Sequence, residues 1–327
     1  MMPRFSVVVP CRDRLPLVRR ALASLERQSF RDFETILVDD GSRGDVAALA
    51  AAFPGLTIRL VDTGGRGANV ARNAGTDVAT AAWVAYLDSD DVFLPHRLAG
   101  AAQRIAGEPA DLLACAAYVW RSGRRVQVRP SRPPAAGEDI SDYYFAAGER
   151  LPTSGLIVRT AVARAVRWDE RLRKVQDPDF VIRLVRAGYR IGFCERPEVV
   201  VYDDTRAGRI SDSVVPGNLR DWLRNSGHLL TPRARAGFEV YALAYERGRE
   251  SRLRGLGQLA AAAAGGCAPW RLTAKSLYRL LAPASLFKAT AQLALLGRRG
   301  ALNPELAEYL SLLETAVPTA PWPGPRA

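Results

Sequence analysis

An α/β fold, with a mixed, mostly parallel sheet flanked by helices and a C-terminal helical extension, is predicted by three features of this sequence. Strand-type apolar runs alternate with amphipathic stretches from Phe5 to Leu87, carboxylates crowd the ends of three of those runs, and strand signals stop near Arg206. Phe5–Val9 reads as the first strand, and Pro16 opens a helix to about Arg27 with Val18, Ala21, Leu22 and Leu25 on one face. Thr35–Val38 repeats the strand signal, a helix from about Asp45 to Phe53 follows, and Thr57–Val61 is the third strand. A helix around Asn69–Ala79 leads to strand Trp83–Leu87, completing a β-α-β-α rhythm that implies right-handed crossovers. Arg121–Gly137, rich in Arg, Pro, Ser and Gly, reads as a connecting loop. Beyond it come strand Leu156–Val158, a helix over about Pro178–Ala187, and strands near Arg190–Phe193 and Val199–Tyr202. In the helix, Asp177 is predicted as N-cap, Pro178 as first residue and Gly188 as the residue past the end.

The composition excludes several classes. With 48% apolar and 24% charged residues over 327 positions, the chain has the makings of a globular core rather than of a disordered or fibrous protein. The four cysteines form no C-x-x-C pair, which argues against a zinc ribbon or redox motif and for a reducing compartment. No secretory h-region or membrane-length apolar stretch is evident, so the expectation is a cytoplasmic protein, free or peripheral on the inner face of the plasma membrane. The net charge of +12 is uneven: residues 1–205 carry +3 and residues 206–327 carry +9. Because nearly all the basic residues are Arg in an Ala-rich chain, no nucleic-acid partner is expected.

The chemistry lies at the strand ends. Asp39 and Asp40 follow the second strand, Asp62 the third, and Asp88, Asp90 and Asp91 the fourth, on the edge where open α/β sheets bind ligands. Carboxylates at i and i+2, as in Leu87-Asp88-Ser89-Asp90-Asp91, suit a hard divalent cation such as Mg²⁺ or Mn²⁺ together with substrate phosphates. In Val38-Asp39-Asp40-Gly41-Ser42 the Gly permits a tight turn, and an Asp can accept a base N–H or a ribose hydroxyl.

These segments, with Ser6–Arg14, Ala71-Arg72-Asn73-Ala74-Gly75, Trp168-Asp169-Glu170-Arg171-Leu172 and Gln176-Asp177-Pro178-Asp179, occur in the order and spacing of family 2 glycosyltransferases. The resemblance covers about residues 3–205 and implies an inverting enzyme of the GT-A fold. It further implies a nucleotide-sugar-binding half over about 1–120 and an acceptor half over about 138–205. By that resemblance Asp40 faces the nucleotide base, Pro10, Cys11 and Asp39 line its pocket, and Arg72 faces the nucleotide. Asp88 and Ser89 contact the donor, Asp90 with Asp88 holds the metal, and Asp177 is the general base, with Asp179 as its alternative. Thr153-Ser154-Gly155 resembles an acceptor-side segment, so Ser154 and Asp179 are candidates there. The histidine that ligates metal in some relatives is absent, leaving either Asp203 or Asp204 in its place or the metal to the D-x-D pair and the phosphates.

The expected substrates are a nucleotide-diphosphate sugar, with a UDP-sugar favoured, and a sugar, lipid-linked or growing-glycan acceptor of cell-surface polysaccharide or glycoconjugate synthesis. A catalytically silent nucleotide-sugar-binding scaffold is the alternative. The helical, basic region 206–317 precedes a Pro-rich tail, 318–327, that reads as disordered. Within it, residues 271–299 alternate basic and apolar side chains, a pattern suited either to an anionic membrane surface or to packing on the catalytic part. Removal of the C-terminal region is expected to leave nucleotide binding intact.

Overall fold

Valine runs become central strands here because they can be buried on both faces. In the computed structural model, which describes residues 2–107, 109–121, 125–203, 218–283, 286, 290 and 304–315, β1 (Phe5–Cys11) lies between β2 (Phe33–Asp39) and β4 (Trp83–Tyr86), parallel to both. Val7 and Val9 enter one apolar layer and Val8 the other, as the two-residue repeat of a strand requires. β3 (Ile58–Asp62) closes that edge of the sheet. The connecting helices are α1 (Leu15–Glu26), α2 (Val46–Ala51) and α3 (Ala68–Val78). Asp45 caps α2 through a 2.8 Å bond from Ala48 N.

Past β4 the sheet continues through β5 (Val92–Phe93), α4 (Arg97–Gly107), β6 (Leu112–Arg121) and β7 (Arg125–Arg129). Then follow α5 (Ile140–Phe145), β8 (Leu156–Arg159), α6 (Thr160–Val166), α7 (Gln176–Arg186) and β9 (Ile191–Tyr202). The strand order is β3-β2-β1-β4-β8-β6-β9-β5, with β7 paired to β6. Among these, β1, β2, β3, β4, β6 and β9 run in one direction, so the sheet is mixed and mostly parallel.

Three expectations are corrected. The predicted loop 121–137 contains β7, the outer strand of an antiparallel ribbon with β6. In the run 112–120, Leu112–Ala117 carry weak strand propensity, and pairing with β8 and β9 decides their structure. The two strands expected over 190–202 are one, β9. Helix α7 starts at Gln176 behind Val175 in the left-handed region (φ 54°), so Asp177 sits in the first turn instead of capping it. Gly188 (φ 88°) follows the helix as predicted.

The later helices are α8 (Asn218–Ser226), α9 (Pro232–Phe238), α10 (Ala244–Glu250), α11 (Arg252–Ala264), α12 (Trp270–Leu281) and α13 (Pro304–Thr315), with a π-turn at Glu239–Leu243 before α10. Leu219, Trp222, Leu223 and Phe238 form one apolar cluster against Phe145 and Leu172. Val240, Ala244, Leu259, Ala262 and Leu280 form another. By contrast, Leu306, Leu310 and Leu313 of α13 join the main core, and the Tyr309 hydroxyl donates to Phe93 O at 2.7 Å. Asp204, the 318–327 tail and most of 284–299 lie outside the described residues.

Candidate active site

Parallel register sets Cys11, Asp39 and Asp62 side by side at the ends of β1, β2 and β3. Asp39 Oδ1 accepts from Ser42 N at 2.8 Å and tightens the turn after β2. Gly41 in that turn has φ 78°, and a Cβ there would lie 2.9 Å from Gly65 N, so only glycine lets the turns after β2 and β3 touch. Asp40, 4% exposed, accepts from the Thr63 hydroxyl (2.8 Å) and from Gly67 N (2.9 Å), with Arg12 3.9 Å away. Asp40 therefore ties the 63–67 loop to the strand end. Pro10 is buried beside it, and burial, reinforced by Asp39 and Asp40, pushes the Cys11 thiol up to about 12. Cys11 is thus a neutral wall rather than a nucleophile.

The Ala71–Gly75 motif works as an assembly point. A Cβ at Gly75 would meet Val8 Cγ1 at 2.5 Å, so glycine brings α3 down onto β1. Asn73 donates to Trp168 O and accepts from Trp168 N, both at 2.9 Å, while Asn69 Nδ2 donates to Asp169 O at 2.7 Å. Two motifs nearly a hundred residues apart are thereby locked together, with Trp168 stacked on Phe180 at 4.2 Å. Arg72, 4% exposed, donates to Asp88 Oδ1 (2.7 Å), Asn69 Oδ1 (2.8 Å) and Gln176 Oε1 (3.0 Å). Its guanidinium lies 4.9 Å from the Trp168 ring centroid. Burial alone would lower its pKa, but Asp88 and Asp177 more than offset this and raise it, so Arg72 is a fixed cation.

Residues 88–91 form a turn closed by Asp91 N to Asp88 O at 3.0 Å. Beneath it Ser154 Oγ accepts from Asp88 N (3.0 Å) and donates to Asp91 Oδ2 (2.6 Å), while Tyr202 N donates to Asp91 Oδ1 (3.2 Å). Burial, with the charges of Asp90 and Asp88, drives the Asp91 pKa well above the usual carboxylate range. Asp88 and Asp90 keep 29% and 24% side-chain exposure, and Asp90 lies 3.4 Å from Arg14. Ser89 stands between them, partly exposed. Two accessible carboxylates on one turn fit a hard divalent cation that takes its other oxygens from phosphates and water. No cluster of three or more His, Cys, Asp or Glu suited to a metal occurs among the described residues.

Asp177 faces this turn from the first turn of α7. The Thr153 hydroxyl donates to its Oδ1. Burial raises its pKa to about 6; Arg72, Thr153 and Arg150 hold it down and Asp88 pushes it up. A half-buried carboxylate poised near neutrality, one hydrogen bond from a fixed hydroxyl, is equipped to take a proton. Thr153→Val, by removing a donor to the ionised form, should move the acidic limb of the pH–rate profile above about 6, and Thr153→Ser should restore it. An unmoved limb would mean that Thr153 does not set this carboxyl's proton affinity.

Residues 6–170 match the family model described as Glycosyl transferase family 2. The chain belongs to glycosyltransferase family 2. This glycosyltransferase is 31% identical over 216 residues to the amylovoran biosynthesis glycosyltransferase AmsB of Erwinia amylovora, spanning 62% of this chain and 71% of that protein. It is 28% identical over 216 residues to the succinoglycan biosynthesis protein ExoW of Rhizobium meliloti, spanning 59% and 67%. Among solved structures, residues 1–349 of S. aureus TarS align with TM-score 0.61 and 18% identity over 84% of this chain and 86% of that one. The TarS complex with UDP-GlcNAc aligns with TM-score 0.53 and 20% identity, over 96% and 82%. At such identities the likeness speaks for the fold, which is the GT-A type.

The glycosyltransferase's fold brings Pro10, Cys11, Asp39 and Asp40 together at one end of the strand edge, and Arg72, Asp88 and Asp177 together at the other. It does not bring Ser154 or Asp179 to an acceptor side. Ser154 is fully buried as the floor of the 88–91 turn. Asp179, 1% exposed, is sealed between Arg183 (2.7 Å) and Trp222 Nε1 (2.8 Å). Sequence reasoning missed Thr153 as the partner of Asp177, Gln176 as a ligand of Arg72, and Gly67 as a donor to Asp40. Only Gly67 left a signal, in the glycine cluster 64–67.

Proposed function

We propose that the enzyme is an inverting, metal-dependent transferase that moves a sugar from a UDP-sugar to an acceptor hydroxyl during assembly of a cell-surface polysaccharide. The observation that carries this reading is Asp177, a carboxyl raised to about 6 beside the Arg72–Asp88 ion pair. The base half of the donor lies against Pro10, Cys11 and Asp39, with Asp40 holding the 63–67 loop as its floor. Asp88 and Asp90 would hold the divalent cation, Mg²⁺ or Mn²⁺, which supplies charge neutralisation for the departing diphosphate. Arg72 keeps Asp88 oriented toward that charge, and Asp177 takes the acceptor hydroxyl's proton as the oxygen attacks the anomeric carbon. The UDP-GlcNAc complex of TarS and the polysaccharide names of AmsB and ExoW support the donor class and the pathway class.

Asp90→Ala should abolish divalent-ion-dependent release of UDP while leaving the melting temperature near that of the parent, because Asp90 is partly exposed and its partner Arg14 can hydrate. UDP release by this variant at the parental rate would remove the metal assignment.

A further inference from the structure

Among the described residues, nothing packs on the outer face of α12. Trp270, Ala274, Leu277 and Leu281 recur at i, i+4, i+7 and i+11, one stripe of a helix. Trp270 is 73% exposed, Leu281 54% and Leu277 41%. The opposite face is the packed one, through Ser276 and Leu280. Large apolar side chains aligned on a solvent-facing stripe cost solubility and mark a contact surface.

The charge around the stripe selects its occupant. Arg271 and Lys275 lie along one side of it and are exposed, Lys275 with its ammonium 5.3 Å from the Tyr241 ring centroid. Between Glu250 and Glu305 the chain has no Asp or Glu, against eight Arg and Lys, in a protein with 34 acidic residues among 327. A face meant for solvent or for an ordinary protein partner mixes both signs. One cleared of carboxylates, with Trp at its start, matches a sheet of anionic headgroups over hydrocarbon. No described helix is long and apolar enough to cross a membrane, so α12 would lie in the interface.

We infer that the outer face of α12 docks the enzyme on an anionic lipid bilayer, with Trp270, Leu277 and Leu281 entering the interface and Arg271 and Lys275 engaging headgroups. The surface also bears on the acceptor. Leu272, on the inner side of α12, packs over Gly148, where a Cβ would lie 3.5 Å from it. The segment that begins there runs through Arg150 to Thr153, both of which act on Asp177. A bilayer-seated α12 thus holds the proton-accepting side of the site close to the lipid surface, as a lipid-linked acceptor requires; this part rests on the transfer reading given above.

The full chain should co-sediment with vesicles of equimolar phosphatidylcholine and phosphatidylglycerol at least about tenfold better than with phosphatidylcholine alone, the preference falling as salt rises. Trp270→Ser/Leu277→Ser/Leu281→Ser and Arg271→Gln/Lys275→Gln should each lose roughly tenfold or more, with unchanged melting and unchanged UDP release on a soluble acceptor. Three results would overturn the docking surface: no anionic preference, undiminished sedimentation of the serine variant, or a dimer in light scattering that the serine variant dissolves. Vesicle binding without any UDP release would instead fault the transfer reading and leave the surface standing.

Discussion

Asp177→Asn lowers the transfer rate by about 10²–10⁴-fold, the span lost when a positioned general base is removed, while affinity for the nucleotide sugar stays within a few fold. The asparagine keeps the shape and still accepts from Thr153, so what disappears is the proton acceptor. In the parent enzyme, activity rises with pH through about 6 as the carboxyl ionises, and the Asn variant's residual rate loses that limb. The same shift has a sign for stability. A carboxyl whose folded pKa lies above its unfolded value binds more protons when folded, so its contribution is best below the unfolded pKa and is lost as pH rises through about 6. Asp177→Asn should therefore melt at or above the parental temperature at pH 7 to 8 and show no gain at pH 4. Near-parental transfer by this variant, measured with purified donor and acceptor, would remove Asp177 from the reaction.

The largest stability loss is expected away from the chemistry, at Glu198. Its carboxylate, 1% exposed, bonds Arg97 at 2.7 Å and Arg104 at 3.1 Å. Arg97, equally buried, spends its other nitrogen on Gly155 O at 2.8 Å. Removing one partner leaves an uncompensated buried charge, so Glu198→Met should cost about 3–5 kcal/mol, a fall in melting temperature on the order of 10 °C. Pairing it with Arg97→Met should recover part of the loss, because the fully buried cation goes with its carboxylate and Arg104, 27% exposed, can hydrate. Since Gly155 directly follows Ser154 and Thr153, the single variant should also lose activity at temperatures where it remains folded. Equal melting of parent and single variant, by calorimetry, would show that the pair is not needed.

The parts of the fold that were legible in the sequence are those whose side chains announce their own environment. Val7–Val9 and Ile36–Val38 are buried on both faces, and an unbroken, mostly β-branched apolar run says so. The first half of β6, Leu112–Ala116, says nothing of the kind, because its conformation comes from β8 and β9, more than forty residues ahead. The site divides in the same way. Asp39, Asp40, Asp88 and Asp90 follow strands directly, and strand ends are where such sheets bind ligands. Ser154 was misplaced because its partners, Asp88 and Asp91, lie over sixty residues away, and a buried hydroxyl under a turn has the same sequence signature as one lining a groove. Asp179 was misplaced by helix geometry. Two residues on an α-helix lie about 200° apart, so when Asp177 faces the site Asp179 turns inward to Arg183 and Trp222.

Helix α13 changes what the C-terminal region is. The chain leaves the sheet at Tyr202 and comes back to it at Pro304, where Leu306, Leu310 and Leu313 fill the layer beneath α1 and Tyr309 fastens to β5. Cutting the chain near residue 205 would not shed an appendage, because it would strip a wall from the layer behind the Asp88–Asp91 turn. The helices between are an excursion clasped at both ends. A surface seated on α12 would then pull against two covalent tethers, one running to β9 and one to α13. On that reading the catalytic unit would hang from the surface like a bucket from both ends of its handle, rather than trail on a leash.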